Sequence, residues 1–318
     1  CTVTLAPNTL SNVWVVQNSA GNTVTLTQGT GANVVIPNGG IRMVATDGAG
    51  SGAAVTDVLD VLGGTGNVGL GSGAFGTGLT TGTDNVAIGD SAGDALTSGS
   101  HNTFVGDNAG GATTTASNNT AVGADALLVN TTGSGNVAVG YLAADANTTG
   151  SGNTAVGGWA LSTTTTGGEN TAIGSTTLFD NTTGASNTAV GYEALANNTT
   201  ANSNTAVGHS ALSSNTTAAN NVALGKDSLF SNTTGSENTA VGTEALYSNT
   251  TAANNTALGY YALRTNSTGA NNVAVGFGAL DANTTADSNT AIGYAALSAN
   301  TTGSSNVAVG TEALGGNT

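Results

Sequence analysis

Hydrophobic and polar residues recur along this chain at a fixed interval of seventeen residues. The pattern Asn-[Thr/Val]-Ala-[Val/Ile/Leu]-Gly begins at Asn85 and returns every seventeen residues up to Asn306, with one variant copy at Asn102 in which Phe104 replaces the alanine. A looser copy starts 18 residues earlier, at Asn67. We number the places of each period from 1, at this asparagine, to 17. A fixed period over most of a chain predicts one small supersecondary unit that is stacked many times.

Each period contains the signals of a short strand and two turns. In the period that begins at Asn187, Thr188 and Val190 share one face of a strand, and Ala189 shares the other face with Asn187. The glycine at place 5 marks a corner, Ala-Leu at places 8 and 9 is a second apolar segment, and Asn-Thr-Thr at places 12 to 14 is typical of a turn. We therefore predict an all-β fold, in which residues 63–318 form a parallel β-solenoid or β-roll with two strands and two corners in each seventeen-residue coil. A helical pair would need about twice that length.

Residues 1–62 have a different pattern, which predicts a small antiparallel β module. Short runs of alternating apolar and β-branched residues occur at 2–5, 13–16, 23–26, 34–36 and 42–45. Turn signals separate the runs, including Pro7-Asn8, Gly29-Thr30-Gly31, Asn38-Gly39-Gly40 and Asp47-Gly48. Residues 46–66 are rich in Gly, Ala and Asp, which is typical of a linker or adaptor.

Stacked coils bring equivalent residues of successive periods together, at about 4.8 Å per step. We expect the asparagines at place 1 to form a hydrogen-bonded ladder with their own copies, as side chains do in other cross-β stacks. These structural ladder residues include Asn85, Asn119, Asn136, Asn153, Asn170, Asn187 and Asn204. The asparagines at place 12 are expected to form a second ladder.

The core predicted for one coil is thin, which favours association of several copies of the chain. Each coil has about three reliable apolar side chains, and burying each yields about 1.5–3 kcal/mol, against about 1–2 kcal/mol of backbone entropy for every ordered residue. The alanine row at place 3 (Ala87, Ala121, Ala138 and onward) is a smooth strip that would suit close approach of another copy. We infer a parallel homotrimer packed through this row. The alternative is a monomeric solenoid.

Composition excludes several classes of function. The net charge is −15, from 18 acidic residues against Arg42, Lys226 and Arg264, so binding to nucleic acid or to anionic lipid is disfavoured. Cys1 is the single cysteine, so an intrachain disulfide cannot form. A cysteine at position 1 fits either a lipid-modified N-terminus or a fragment of a longer chain. No stretch is apolar enough to predict membrane insertion.

The repeat motif resembles known fibrous proteins. Asn-Thr-Ala-Val-Gly and Asn-Val-Ala-Val-Gly are similar to the strand motif of YadA-like head repeats in trimeric autotransporter adhesins, a family that forms a trimeric left-handed parallel β-roll. The usual repeat of that family is shorter and lacks the Ala-Leu and Asn-Thr-Thr-Gly segments. Longer repeats that read Asn-Thr-Ala-Val-Gly-Tyr-x-Ala-Leu look like those of bacteriophage tail fibres, and the opening segment from Ser11 through Gly50 also looks like a β module of such fibres.

A row of rings just after the corner glycine is the candidate contact surface. Exposed rings could stack on the faces of sugars, and the alternatives are packing at the corner or contact between subunits. The candidate glycan-contact residues are Tyr141, Trp159, Tyr192, Tyr260, Phe277 and Tyr294. Asn-Thr-Thr is formally a glycosylation sequon, although turn chemistry explains it equally well. An ice-binding array formed by the threonine pairs is disfavoured by their place in a turn.

No pattern of residues predicts catalysis or a cofactor. His101 and His209 are far apart and have no metal-ligand spacing, and Asp90, Asp94, Asp107 and Asp125 read better as solvated acids than as a cation site. Asp227 and Glu244 lie one coil apart, but the acids of that corner show no arrangement typical of a glycosidase pair. We therefore expect a non-enzymatic structural segment of a phage tail fibre. It would be located in the virion, where it would space a host-binding tip away from the particle or itself present a surface for host-receptor binding. Its partners would be other tail proteins and a host glycan or protein. The alternative is the head of a bacterial trimeric adhesin on a cell surface.

Overall fold

The computed structural model describes residues 1–5, 13–28, 33–36, 41–46, 55–61, 66–76 and 78–316. All regular secondary structure in these residues is β-strand, and the chain divides into two compact units, Cys1–Gly135 and Asn136–Thr318. The predicted fold class is confirmed, since the chain forms a parallel β-solenoid of seventeen-residue coils with a small antiparallel sheet near the N-terminus.

The first unit begins with six strands outside the repeat: β1 (Thr2–Thr4), β2 (Val13–Gln17), β3 (Val24–Thr27), β4 (Val34–Ile36), β5 (Ile41–Thr46) and β6 (Val55–Val61). Strands β2, β5 and β6 pair antiparallel in that order, and β3 pairs antiparallel with β4. The β1–β3 pair is parallel, which the prediction of an antiparallel module did not foresee. The small core of these strands contains Val24, Leu26, Val34, Ile36 and Val44. The predicted turns at Pro7-Asn8, Gly29-Thr30-Gly31, Asn38-Gly39-Gly40 and Asp47-Gly48 lie outside the described residues.

Part of the predicted linker is a strand. Val55–Val61 forms β6, which pairs with β5 over its length and contains a register shift opposite Met43 and Val44. Valine and threonine favour the extended backbone, and their contribution outweighs the two aspartates that made this stretch look like a linker. The linker prediction is therefore wrong for these seven residues, and residues 47–54 and 62–65 lie outside the described part of the chain.

The solenoid strands are three residues long and occupy places 2 to 4 of each period. In the first unit they are β7 (Val68–Leu70), β8 (Val86–Ile88), β9 (Thr103–Val105) and β10 (Thr120–Val122). Each pairs in parallel with the next, in full register. Strand β7 also meets β6 in an antiparallel pairing of Asp60 with Gly69, which joins the first coil to the N-terminal strands.

The second unit consists of repeated coils. Its strands are β11 (Val137–Val139), β12 (Thr154–Val156), β13 (Thr171–Ile173), β14 (Thr188–Val190), β15 (Thr205–Val207), β16 (Val222–Leu224), β17 (Thr239–Val241), β18 (Thr256–Leu258), β19 (Val273–Val275), β20 (Thr290–Ile292) and β21 (Val307–Val309). All neighbouring pairs are parallel and keep the same register, so that alanine lies on alanine throughout.

Each coil has one strand, not the two that we predicted. The Ala-Leu segment is a series of turns, because places 7 and 9 adopt the left-handed backbone conformation, with φ of +54° at both Glu193 and Leu195. The N–H of Ala194 bonds back to the carbonyl of Gly191 at 3.4 Å, which closes one of these turns. The segment is nevertheless stacked like a strand, since the N–H of Leu195 donates to the carbonyl of Ala211 in the next coil at 2.9 Å.

The alanine row faces the interior of its own coil, which corrects the predicted assembly surface. Ala189, Ala206 and Ala240 are fully buried within the single chain, as are Ala87, Ala121 and Ala138. Leucine at place 9 and the asparagines at places 1 and 12 share the same interior, so that only a methyl group fits at place 3. The opposite strand face, with threonine or valine at place 2 and valine, isoleucine or leucine at place 4, points outward.

The variant coil shows how tightly this interior is filled. Phe104 replaces alanine at place 3 and is fully buried. Place 9 is glycine instead of leucine in this coil and in the one before it, at Gly110 and Gly93. A Cβ added to Gly110 would lie 2.5 Å from the Phe104 ring, and one added to Gly93 would lie 2.8 Å from it. The phenylalanine ring therefore occupies the volume that two leucine side chains fill elsewhere.

Candidate functional site

The candidate site is the row of rings at places 6 and 7, where the chain leaves the strand. The glycine at place 5 has φ between +128° and +139°, a conformation that only glycine adopts readily, and it turns the next residue away from the core. The six candidate rings are exposed to between 41% and 53% of their surface: Tyr141, Trp159, Tyr192, Tyr260, Phe277 and Tyr294. They are accessible to a ligand in the single chain.

Three of these rings form a continuous ladder, which we call the ring ladder: Tyr260, Phe277 and Tyr294. They come from consecutive coils, with centroids 5.5 Å apart for Tyr260 and Phe277 and 5.4 Å apart for Phe277 and Tyr294. The interplanar angles are 12° and 11°, so the three rings are nearly parallel. The ladder is therefore one extended aromatic surface.

The remaining candidate rings do not extend this ladder. Tyr141 and Trp159 meet edge to face, at 85° and 5.4 Å. Tyr192 lies over His209 at 5.4 Å with a tilt of 33°. Place 6 is Lys226 and then Thr243 in the two coils between His209 and Tyr260, which interrupts the aromatic row.

The rings of the ladder are stacked, yet part of each remains accessible. Near-parallel rings whose centroids are 5.4 Å apart are too close to lie side by side in one plane, so each ring is stacked on the next. The three side chains remain 42% to 53% exposed, so each ring contributes to the outer surface of the ladder.

Polar groups border the ladder on one side. Tyr261 contacts Tyr260, with ring centroids 3.8 Å apart, and the guanidinium of Arg264 lies 4.6 Å from the centre of the Tyr261 ring. The Nε of Arg264 donates to Glu244 at 2.7 Å. Its hydrogen bond to Glu244 raises the pKa of Arg264, and a hydrogen bond with Tyr261 raises the pKa of Tyr260. Tyr260 is therefore a neutral phenol at physiological pH and can donate or accept a hydrogen bond.

The place-1 asparagines form a buried ladder between side chains and backbone. The Oδ1 of Asn187 accepts the backbone N–H of Asn204 at 3.0 Å, and its Nδ2 donates to the carbonyl of Ala201 at 2.8 Å. The same coil-to-coil bond joins Asn85 to Asn102 and Asn136 to Asn153. The predicted ladder residues, which are all buried, are Asn85, Asn119, Asn136, Asn153, Asn170, Asn187 and Asn204.

The place-12 asparagines form a second ladder, between side chains. Asn198 donates from Nδ2 to Asn181 at 2.9 Å and to the carbonyl of Ala201 at 3.1 Å, and its own Oδ1 accepts from Asn215 at 3.0 Å. These asparagines belong to the Asn-Thr-Thr sequons, and their amides are buried and hydrogen-bonded. The folded chain therefore does not present them for glycosylation. The place-13 threonines are also engaged, as Thr199 donates to the carbonyl of Thr216 at 3.0 Å.

The acidic and histidine candidates do not form a metal site in the described part of the chain. Nowhere in it do three His, Cys, Asp or Glu side chains lie close enough to hold a metal ion. His101 lies 3.6 Å from Asp84, and His209 lies 3.8 Å from Asp227. The two carboxylates weighed as a glycosidase pair contact cations, Asp227 with Lys226 at 3.2 Å and Glu244 with Arg264.

Comparison of the chain with family models, curated proteins and solved structures finds no match. Among the described residues there is no helix that is long and apolar enough to cross a membrane. The ring ladder with its bordering polar residues is thus a candidate site defined by this chain's own geometry.

Proposed function

We propose that this chain is a structural fibre segment of a bacteriophage tail, which spaces or presents host-receptor binding during adsorption. The observation that carries the proposal is the bonding between successive coils within each of the two units. Bonds from one coil to the next occur on all its sides, for example from Thr188 N–H to Asn204 and from Thr199 N–H to Thr216, at 2.8 and 3.0 Å. With the two asparagine ladders, they make each coil a rigid continuation of its neighbour, as a mechanical spacer requires. The likeness of the repeats and of the opening module to phage tail fibres supports the same function.

In this function the chain's partners are other tail proteins and a host glycan or protein. The net charge of −15 favours solubility of a repetitive particle. The exposed rings at places 6 and 7 are the surface through which the segment would contact a host. A chain with this function would be located in the virion.

We further propose that the fibre is a homotrimer, packed through the outward face of the strands. That face consists of places 2 and 4, and both rows lack charged residues in every described coil. Leu224 and Leu258 on it are exposed to 45% and 46%. A second copy of the same chain is the occupant that fits, because a molecule with this negative charge can approach itself closely only where acids are absent.

Substitutions on the two faces of the solenoid strands distinguish assembly from folding. Leu224→Glu combined with Leu258→Glu places acids on the outward face, so we expect the particle mass in light scattering to fall from trimer to monomer with unchanged circular dichroism. Ala223→Leu instead overfills the coil interior, where Ala223 is fully buried, and should lower the free energy of unfolding by about 1–3 kcal/mol. An unchanged mass for the double glutamate variant would contradict the trimer.

The tail-fibre proposal is tested by immunogold electron microscopy of the source material, with an antibody against residues 1–62. We expect gold on the tails of phage particles. Gold on intact cell surfaces would contradict the tail fibre and favour the adhesin. Pre-immune serum and antibody absorbed with the purified chain are the controls.

A further inference from the structure

We propose that the ring ladder binds a neutral, extended β-1,4-linked polysaccharide, which runs along the stacking direction of the coils with one sugar on each ring. This inference rests on the proposed function, because it names the class of host molecule that the fibre would contact. It concerns Tyr260, Phe277 and Tyr294 and not the isolated ring pairs elsewhere in the row.

The spacing of the rings matches the period of an extended polysaccharide. The ring centroids of the ladder are 5.4–5.5 Å apart, and one pyranose of an extended β-1,4-linked chain advances by nearly the same distance. Successive sugars can therefore lie on successive rings without bending of the polysaccharide. Each pyranose carries C–H groups on both faces, so the alternating orientation of sugars along such a chain preserves the contact with the rings. An α-1,4-linked chain curves and would lose the match after one or two sugars.

The exposure of the rings also favours a polysaccharide ligand. The exposed fractions of the three side chains are 42%, 49% and 53%. Contact of an amphipathic ligand with rings of this kind has a favourable hydrophobic contribution while its rim stays hydrated. The exposed aromatic surface continues over three coils, which favours a polymer over a single sugar.

The polarity of the residues around the ladder favours a neutral ligand. Arg264, the cation beside the ladder, is bonded to Glu244 and covers Tyr261, so its charge is already compensated. The chain as a whole is strongly negative and repels acidic polysaccharides. The phenol groups of Tyr260 and Tyr294, on either side of Phe277, can hydrogen-bond to sugar hydroxyls without selecting a charge.

The test is isothermal titration calorimetry of the full chain with cellohexaose and with maltohexaose, which have the same composition and differ only in linkage. We expect cellohexaose to bind at least about tenfold more tightly, equivalent to 1.4 kcal/mol. The affinity should rise from cellobiose to cellotriose and then level off, because the ladder has three rings. Equal affinity for the two hexasaccharides, or no binding of cellohexaose at millimolar concentration, would overturn the inference.

Variants locate the binding surface. Phe277→Ala removes the central ring and should weaken cellohexaose binding by about tenfold, equivalent to 1.4 kcal/mol, whereas Phe277→Tyr should preserve it. Tyr141→Ala is the matched control, because Tyr141 is equally exposed but outside the ladder, and it should leave the affinity unchanged. An unchanged affinity for Phe277→Ala would contradict the proposed site. If gold labels phage tails while no oligosaccharide binds, the tail-fibre proposal stands and only this inference fails.

Discussion

We expect Gly276→Ala to destabilise the protein by about 3 kcal/mol or more, since backbone strain and overpacking each contribute about 1–3 kcal/mol. Gly276 is at place 5, with φ of +132°, where a side chain is strongly disfavoured. The added Cβ would overlap the carbonyl oxygen of Gly293, which is backbone of the next coil and cannot rotate away. The corner glycines follow one another along the stack, so relieving one overlap would require a shift of every later coil.

Gly278→Ala is the matched control, two residues along the same coil. Gly278 also has a positive φ, of +58°, but a Cβ added there would meet no atom within 4 Å. Other coils carry Trp159 or Glu193 at this place with nearly the same φ, so we expect a cost of only about 1 kcal/mol. Urea unfolding measures the two free energies, and hydrogen exchange shows which coils lose protection. Equal effects of the two substitutions would contradict the role of the close approach to Gly293.

The period in the sequence is sufficient to predict the fold class, because it fixes the register of every coil on the next. It also predicts which residues become neighbours, as the asparagine ladders and the ring ladder illustrate. Alternation of residues in the strand establishes that Thr188 and Val190 share a face, but it does not state which face is buried. A hydrophobicity argument places valine inside and alanine outside, and the structure has the reverse, because a coil this narrow has no room for a larger side chain beside Leu195.

The variant coil contained a signal for this arrangement. Phe104 at place 3 accompanies glycine at place 9 in its own coil and in the preceding one, and such an exchange of volume indicates a shared interior. The second strand was mispredicted for a different reason. Leucine is rarely found with positive φ, so a left-handed Leu195 could not be expected from its residue type. The glycines Gly93 and Gly110 at the same place were the available hint.

The exposure of the rings could be anticipated, but their mutual orientation could not. Six rings occupy the same corner of the repeat, yet near-parallel stacking on consecutive coils occurs at Tyr260, Phe277 and Tyr294, whereas Tyr141 and Trp159 meet edge to face. The difference follows from the positions of these rings in the repeat, because Tyr141 is at place 6 of its coil and Trp159 is at place 7. A ladder therefore requires rings at the same place in successive coils, which restricts the candidate site to one segment of the row.

We expect Asn198→Ala to lower the free energy of unfolding by about 2–4 kcal/mol, since each buried polar group left without a partner costs about 1–3 kcal/mol. The substitution removes the donor to Asn181 and the acceptor for Asn215, whereas the carbonyl of Ala201 keeps its bond from Asn187. The amides of Asn181 and Asn215 are buried between coils, where water cannot replace the lost bonds without opening the stack. The loss of protection in hydrogen exchange should be largest in the coils that contain Asn181 and Asn215.

Asn197→Ala is the adjacent control, because this side chain is exposed. Its backbone N–H donates to the carbonyl of Ser213 at 3.0 Å, and the substitution leaves that bond in place. We expect a change within about 0.5 kcal/mol, as for other surface substitutions. Urea denaturation of the two variants compares one amide inside the ladder with one outside it, in the same turn. A cost for Asn198→Ala no larger than that for Asn197→Ala would contradict a stabilising role of the ladder, and the coil stack would then depend on its main-chain bonds and on leucine packing alone.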